Sequence, residues 1–85
     1  MNPKEMTGIL RAARALLHID QDELAKRAGV SRAVISRIEN DDETINLKQI
    51  RTVHAALERS GVHFFDSPDA HGLGLAFRHK PASKK

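Results

Sequence analysis

The chain has 85 residues, with 14 lysines and arginines against 11 aspartates and glutamates, and its formal net charge of +3 is mildly basic. The length predicts one small domain, and the lack of cysteine excludes disulfides and thiolate zinc sites. No apolar run approaches the ~20 residues that span a bilayer, and the start MNPKEMTG has no signal-peptide core, so we expect a cytoplasmic protein with no membrane partner.

The first part of the chain has the periodicity and the capping residues of helices. Asn2-Pro3 predicts the start of a first helix. Its apolar stripe is expected at Ile9, Ala13, Leu16 and Leu17. A further helix is predicted after Asn46 and Gln49, which form a capping pattern, and it ends at Ser60-Gly61. Its core-facing residues are expected to be Leu47, Ile50, Val53 and Leu57.

The most informative stretch is residues 21–39, QDELAKRAGVSRAVISRIE, which predicts two short helices joined by a tight turn. Asp20 and Glu23 form a capping-box pattern that opens the first of these helices. Gly29 supplies the positive φ that other residues adopt reluctantly, and Ser31 is a good N-cap for the next helix. The inward positions of this segment are Leu24, Ala25, Ala28, Val30, Ile35 and Ile38.

The second helix of this pair carries small or donor-rich side chains on its outward face. These residues are Arg32, Ala33, Ser36 and Arg37. A helix-turn-helix needs a short turn, a small residue where the helices cross and a polar outward face on its second helix, and residues 21–39 meet all three requirements. The pattern therefore predicts a mainly α fold, with a compact four-helix domain over residues 1–61.

After the fourth helix the periodicity changes from 3.6 to 2, which predicts a short β extension at residues 62–79 and a basic flexible tail at 80–85. Strands are expected at 62–65 and 73–79, separated by a loop. Since a lone hairpin cannot shelter its apolar residues, the extension either packs back on the helices or pairs with a second copy. We favour pairing, because apolar edge strands are templates for strand addition. The expected dimerisation residues are Val62, Phe64, Phe65, Leu73, Leu75 and Phe77.

This pattern resembles the phage-repressor-like helix-turn-helix family (Cro/repressor, or XRE). The ordered set ELAKRAGVS followed by ISRIEN carries the resemblance, and the segments at 10–17 and 47–57 extend it over most of the chain. The matching residues are Gln21, Leu24, Ala25, Gly29, Val30, Ser31, Ile35, Ile38, Glu39 and Asn40.

The resemblance implies roles for particular residues. Gln21 is expected to touch a phosphate and to brace the start of the third helix, and Asn40 matches a phosphate contact. Arg14 and Glu39 match a structural pair that ties the first helix to the end of the third. An arginine in the major groove can form a bidentate pair with guanine O6 and N7. The complete set of expected DNA-binding residues is Gln21, Ser31, Arg32, Ala33, Val34, Ser36, Arg37 and Asn40.

One departure from the family concerns the loop after Asn40, where Asp41-Asp42-Glu43 stands in place of the glycine or basic residues of many relatives. Three carboxylates repel a phosphate backbone, so we expect no DNA contact in that loop. The five histidines lack the spacing of a metal site, and the chain has no glycine-rich phosphate loop and no cysteine nucleophile. We therefore expect no metal, no cofactor and no enzymatic activity.

The resemblance implies sequence-specific binding of double-stranded DNA by a homodimeric transcriptional repressor on a pseudo-palindromic operator. An alternative is an antitoxin that neutralises a protein toxin and autoregulates its operon, because a helix-turn-helix followed by a dimerising strand is similar to HipB-like antitoxins. A third interpretation is a helix-turn-helix that serves only as a protein-interaction module. Arg32 and Arg37 argue against it, because they occupy positions where base contacts belong.

Overall fold

The computed structural model describes residues 3–67 and 72–77. The helices are α1 (Pro3–Leu16), α2 (Gln21–Ala28), α3 (Arg32–Glu39) and α4 (Leu47–Arg59). An antiparallel hairpin follows, formed by β1 (Val62–Ser67) and β2 (Gly72–Phe77). The prediction of a mainly α, four-helix domain with a short C-terminal β extension is confirmed.

Side-chain caps define where the short helices begin. The Asp20 carboxylate accepts a hydrogen bond from the backbone N–H of Glu23 at 2.8 Å, which begins α2. Only this half of the predicted box is seen, because the Glu23 carboxylate binds Arg27 at 2.8 Å instead. At α4 both halves are present, since Asn46 and Gln49 exchange hydrogen bonds of 2.8 and 3.3 Å. Local capping chemistry therefore defines these helix starts, as the sequence predicts.

The hydrophobic core lies between the four helices. Its most deeply buried large side chains are Leu10, Leu24, Ile35, Ile38, Val53, Leu57 and Val62. The predicted stripe of α1 omitted Leu10, which is fully buried, whereas Leu16 is only partly buried. Leu47 was predicted to face the core and is instead 41% exposed. With 3.6 residues per turn, Leu47 lies about 60° around α4 from Ile50, on the side opposite to Val53.

The hairpin closes one side of this core. β1 packs against α4 and β2 against α1. Val62 and Phe64 are buried within their own chain, and the Phe64 ring stacks on His54 with 4.1 Å between ring centroids. This corrects the expectation that Val62 and Phe64 pack between subunits, because the helices already cover both side chains. Phe65, on the opposite face of the strand, is 40% exposed.

The strands differ in length from those predicted. β1 continues past Phe65 through Ser67, because the register pairs Asp66 with Leu73 and Ser67 with Gly72. The same register sets Leu75 opposite Phe64 and Phe77 opposite Val62. For Leu73, Leu75 and Phe77 the structure describes the backbone in β2 and not the side chains, so their predicted role in dimerisation lies outside the described residues. The predicted tail at 80–85 also lies outside them.

Candidate nucleic-acid interface

The turn between α2 and α3 is built on Gly29. Its φ of 71° and ψ of 31° lie in the left-handed region, as the sequence predicts. A β-carbon added there would meet nothing within 4 Å, so backbone conformation rather than space favours glycine. The backbone N–H of Val30 donates to the Ala25 carbonyl oxygen at 3.0 Å, and the Val30 side chain packs against the core. These contacts fix the angle between the two helices.

Helix α3 has one buried face and one exposed face. Ser31 caps its start by accepting a hydrogen bond from the backbone N–H of Val34 at 3.4 Å. Val34 is only 8% exposed, which corrects the expectation that it is one of the DNA-binding residues. It lies four residues before Ile38, on the same face of the helix, and belongs to the core. The outward face comprises Arg32, Ala33 and Arg37, which are exposed, and Ser36, which is partly buried.

The end of α3 is tied to α1 by an ion pair. Arg14 Nε donates to Glu39 Oε2 at 2.6 Å, and Arg14 Nη2 donates to Glu39 Oε1 at 3.0 Å. A third nitrogen, Nη1, donates to the carbonyl oxygen of Ile19 at 3.0 Å. The Glu39 side chain is 5% exposed and that of Arg14 is 20% exposed. The structure thus brings together the two residues that the resemblance pairs, in a bidentate geometry.

The surroundings of this pair favour the ionised form of both groups. Burial alone would raise the pKa of the Glu39 carboxyl, but hydrogen bonds from Arg14 and Gln21, together with the charges of Arg14 and Arg11, outweigh burial and lower it. The hydrogen bond to Glu39 raises the pKa of the Arg14 guanidinium, against the opposing effect of burial. The two charges of this partly buried pair are therefore held together by their mutual hydrogen bonds.

Gln21, the first residue of α2, contacts both ends of α3. Its Nε2 donates to Glu39 Oε1 at 3.0 Å, and its Oε1 accepts a hydrogen bond from Arg32 Nε at 3.4 Å. This agrees with a bracing role at the start of α3. Arg32 Nε also lies 3.7 Å from Asp22 Oδ1, a contact that the sequence analysis missed. No local pattern indicates it, since Asp22 and Arg32 belong to different helices and meet only once the turn is formed.

The acidic loop after α3 is bonded to α1 through Asp41 and within itself through Asp42. Asp41 has a positive φ of 56° and accepts a hydrogen bond from Thr7 Oγ1 at 3.1 Å. Asp42 Oδ1 accepts bonds from the backbone N–H and the hydroxyl of Thr44, at 2.8 and 2.7 Å. Those two bonds, the backbone one foremost, lower the pKa of the Asp42 carboxyl. Asn40, which caps the end of α3, is exposed and contacts Ser36 at 3.5 Å.

Comparison with known protein families supports the interpretation of α2 and α3 as a helix-turn-helix. The model of the helix-turn-helix family HTH_3 matches residues 10–64, more than half of the chain. The chain therefore belongs to this XRE-type helix-turn-helix family, whose members are DNA-binding transcription regulators. No curated protein and no solved structure gives a significant match.

Across residues 3–67 and 72–77, no helix has the length and apolar character needed to cross a membrane. In the same part of the chain, no three histidine, aspartate or glutamate side chains group in a way that could hold a metal ion.

Proposed function

We propose that this chain is a homodimeric transcriptional repressor that binds a pseudo-palindromic operator in double-stranded DNA. The observation that carries the proposal is the outward face of α3, where Arg32 and Arg37 stand exposed around Ala33 and the partly buried Ser36. Guanidinium groups can pair with guanine O6 and N7 in the major groove, and the Ala33 methyl suits a thymine methyl. The helix that presents them is held rigidly by Gly29 and by the contacts of Glu39.

Phosphate contacts would flank this face. Gln21 begins α2, where backbone N–H groups of the first turn can donate to a phosphate, and Asn40 follows the last turn of α3. The carboxylates of Asp41 and Asp42 accept hydrogen bonds from Thr7 and Thr44. We therefore assign phosphate binding to Gln21 and Asn40 and none to the acidic loop.

Dimerisation is assigned to the hairpin, with a smaller set of residues than the sequence predicts. Phe65 is the exposed aromatic of β1, and its ring stacks on His63 with centroids 5.6 Å apart. In the described part of the chain the sheet has two strands, so each strand has one edge open to pairing. To bind two half-sites, a dimer formed by two hairpins must hold its two α3 helices about one turn of DNA apart. The bound dimer would then repress by occluding promoter DNA.

The experiment that tests this proposal is selection of bound sites from a random DNA pool, followed by affinity measurements on Arg32→Ala and Arg37→Ala. If each arginine reads a guanine, each variant should lose about 5- to 150-fold in affinity for the selected site and lose the base preference at one position per half-site. Arg51→Ala is the matched control, since it removes an exposed arginine from α4. Wild-type affinity and base preference in both α3 variants would refute the assignment of α3 as the reading helix.

The second candidate function is an antitoxin that binds a protein toxin and uses DNA binding for autoregulation. The observation that favours it is an exposed face of α4 in which Leu47 and Ala55 lie beside Lys48 and Arg51. An apolar residue flanked by cations offers a contact for a protein partner that DNA reading does not use. A toxin reading frame adjacent to this gene, whose product co-purifies with the wild type and not with Leu47→Lys, would favour this candidate.

A further inference from the structure

The guanidinium of Arg32 has two neighbours on α2. Its Nε donates to Gln21 Oε1 at 3.4 Å and lies 3.7 Å from Asp22 Oδ1. The Gln21 amide is itself oriented, because its nitrogen donates to the buried Glu39 carboxylate and its oxygen is therefore turned toward Arg32. Arg32 is thus held by one neutral acceptor whose orientation is fixed and by one carboxylate.

Both contacts are made at Nε. Neither contact occupies the two terminal nitrogens of Arg32, and those nitrogens can reach guanine O6 and N7 as a pair. The side chains of Arg32 and Asp22 are 64% and 70% exposed, so the ion pair is screened and weak in the free protein. On DNA the same carboxylate would face a dense row of phosphates, which it repels. An arginine beside Asp22 would therefore bind a phosphate more weakly than an isolated arginine would.

We propose that Asp22 is a positioning residue that influences specificity: it favours the orientation in which Arg32 reads a base and weakens the binding of Arg32 to the DNA backbone. The inference rests on the proposed function, because it requires that α3 enters the major groove. A loss of Asp22 then has two effects. Arg32 becomes free to swing to a phosphate, so binding to unrelated DNA strengthens, and the preference for the base that Arg32 reads weakens.

The neighbouring residue Glu23 provides a matched control. It lies in the same first turn of α2, carries the same charge and also interacts favourably with the helix dipole, but its carboxylate binds Arg27 at 2.8 Å. Glu23→Gln therefore reproduces the change in net charge and in helix-terminal charge that Asp22→Asn makes. It leaves the surroundings of Arg32 intact.

The test compares the wild type with Asp22→Asn, Glu23→Gln, Arg32→Ala and the double variant of Asp22 and Arg32. Fluorescence anisotropy at one fixed salt concentration gives the affinity of each protein for the wild-type selected site and for an unrelated duplex. We expect Asp22→Asn to bind the unrelated duplex up to about fivefold more tightly, the size expected of an exposed ion pair, and to lower the specificity ratio accordingly. Glu23→Gln should keep the wild-type ratio, and Asp22→Glu, which retains the charge, should restore most of it.

The double variant shows whether Asp22 acts through Arg32. In the Arg32→Ala background the Asp22→Asn change should leave the specificity ratio unaltered, and site selection with Asp22→Asn should lose the same base preference that Arg32→Ala loses. The inference is overturned if Asp22→Asn has the ratio of Glu23→Gln, or if it changes the ratio equally with and without Arg32. A wild type that does not distinguish selected from unrelated DNA refutes the proposed function instead, and circular dichroism confirms that each variant is folded.

Discussion

Replacing Glu39 with alanine should destabilise the domain strongly. The Glu39 carboxylate accepts two hydrogen bonds from Arg14, at 2.6 and 3.0 Å, and one from Gln21 at 3.0 Å. Removing it leaves a largely buried guanidinium without its charge partner, a change that costs about 3–5 kcal/mol in a fully buried pair. Since Arg14 keeps 20% exposure and can reach water, we expect a loss of about 2–4 kcal/mol. In a domain of this size, that loss lowers Tm by roughly 10–30 °C.

Thermal and urea unfolding followed by far-ultraviolet circular dichroism at neutral pH measures this loss. Glu43→Ala is the control, because it removes an exposed glutamate from the loop and should change stability by less than about 0.5 kcal/mol. Replacing both Arg14 and Glu39 with methionine removes both charges together and should recover most of the loss. The reasoning is refuted if Glu39→Ala unfolds within about 0.5 kcal/mol of the wild type, or if the double variant is no more stable than the single one.

Three further predictions use the same structure. Because the folded state lowers the pKa of Glu39, the ionised carboxylate stabilises the fold above its unfolded pKa of about 4.3, and this stabilisation is lost as pH falls through the folded pKa. The free energy of unfolding, measured with urea, should therefore fall less between pH 7 and pH 3 in Glu39→Gln than in the wild type. Phe64→Leu should lower the free energy of unfolding by about 1–3 kcal/mol through repacking and a lost stack on His54. Phe65→Ser should leave the fold intact and weaken only the proposed dimer, which sedimentation velocity would measure. If each subunit of the proposed dimer neutralises about three phosphates, about six in all, DNA affinity should fall with salt at a log–log slope of roughly −5. A slope near zero would contradict contact with the DNA backbone.

The parts of this fold that depend on neighbouring residues could be predicted from the sequence. Gly29 needs only its own φ, and the side chains of Asp20, Ser31 and Asn46 each accept a hydrogen bond from the backbone N–H three residues ahead. Such signals act within one turn of helix, so they can be recognised directly from the order of the residues. The helix starts at Gln21, Arg32 and Leu47 follow from them.

The errors occurred where a side chain's position depends on packing between elements. Leu47 and Leu10 are leucines on amphipathic helices, and only the arrangement of the other helices shows that Leu10 is covered and Leu47 is not. Phe64 is a similar case. Its alternation within β1 predicts an apolar strand face, but the choice between a second copy and the chain's own α4 depends on how the hairpin folds back. That choice depends on tertiary packing, which the hydrophobic periodicity of the sequence does not predict.

The candidate site depends both on local capping signals and on packing between elements. Its scaffold was therefore easier to predict than the orientation of its exposed side chains. Helix α3 has eight residues, too few to be stable alone, so its place depends on Ser31 at one end and Glu39 at the other. Those residues face inward or cap the helix, so the fold requires them, and the family resemblance therefore predicted them. Arg32 and Arg37 face outward, where the fold places little constraint on residue type. If these arginines read bases, as we propose, their base preference depends on how each guanidinium is oriented, and the neighbours of the Arg32 guanidinium are Gln21 and Asp22 on another helix.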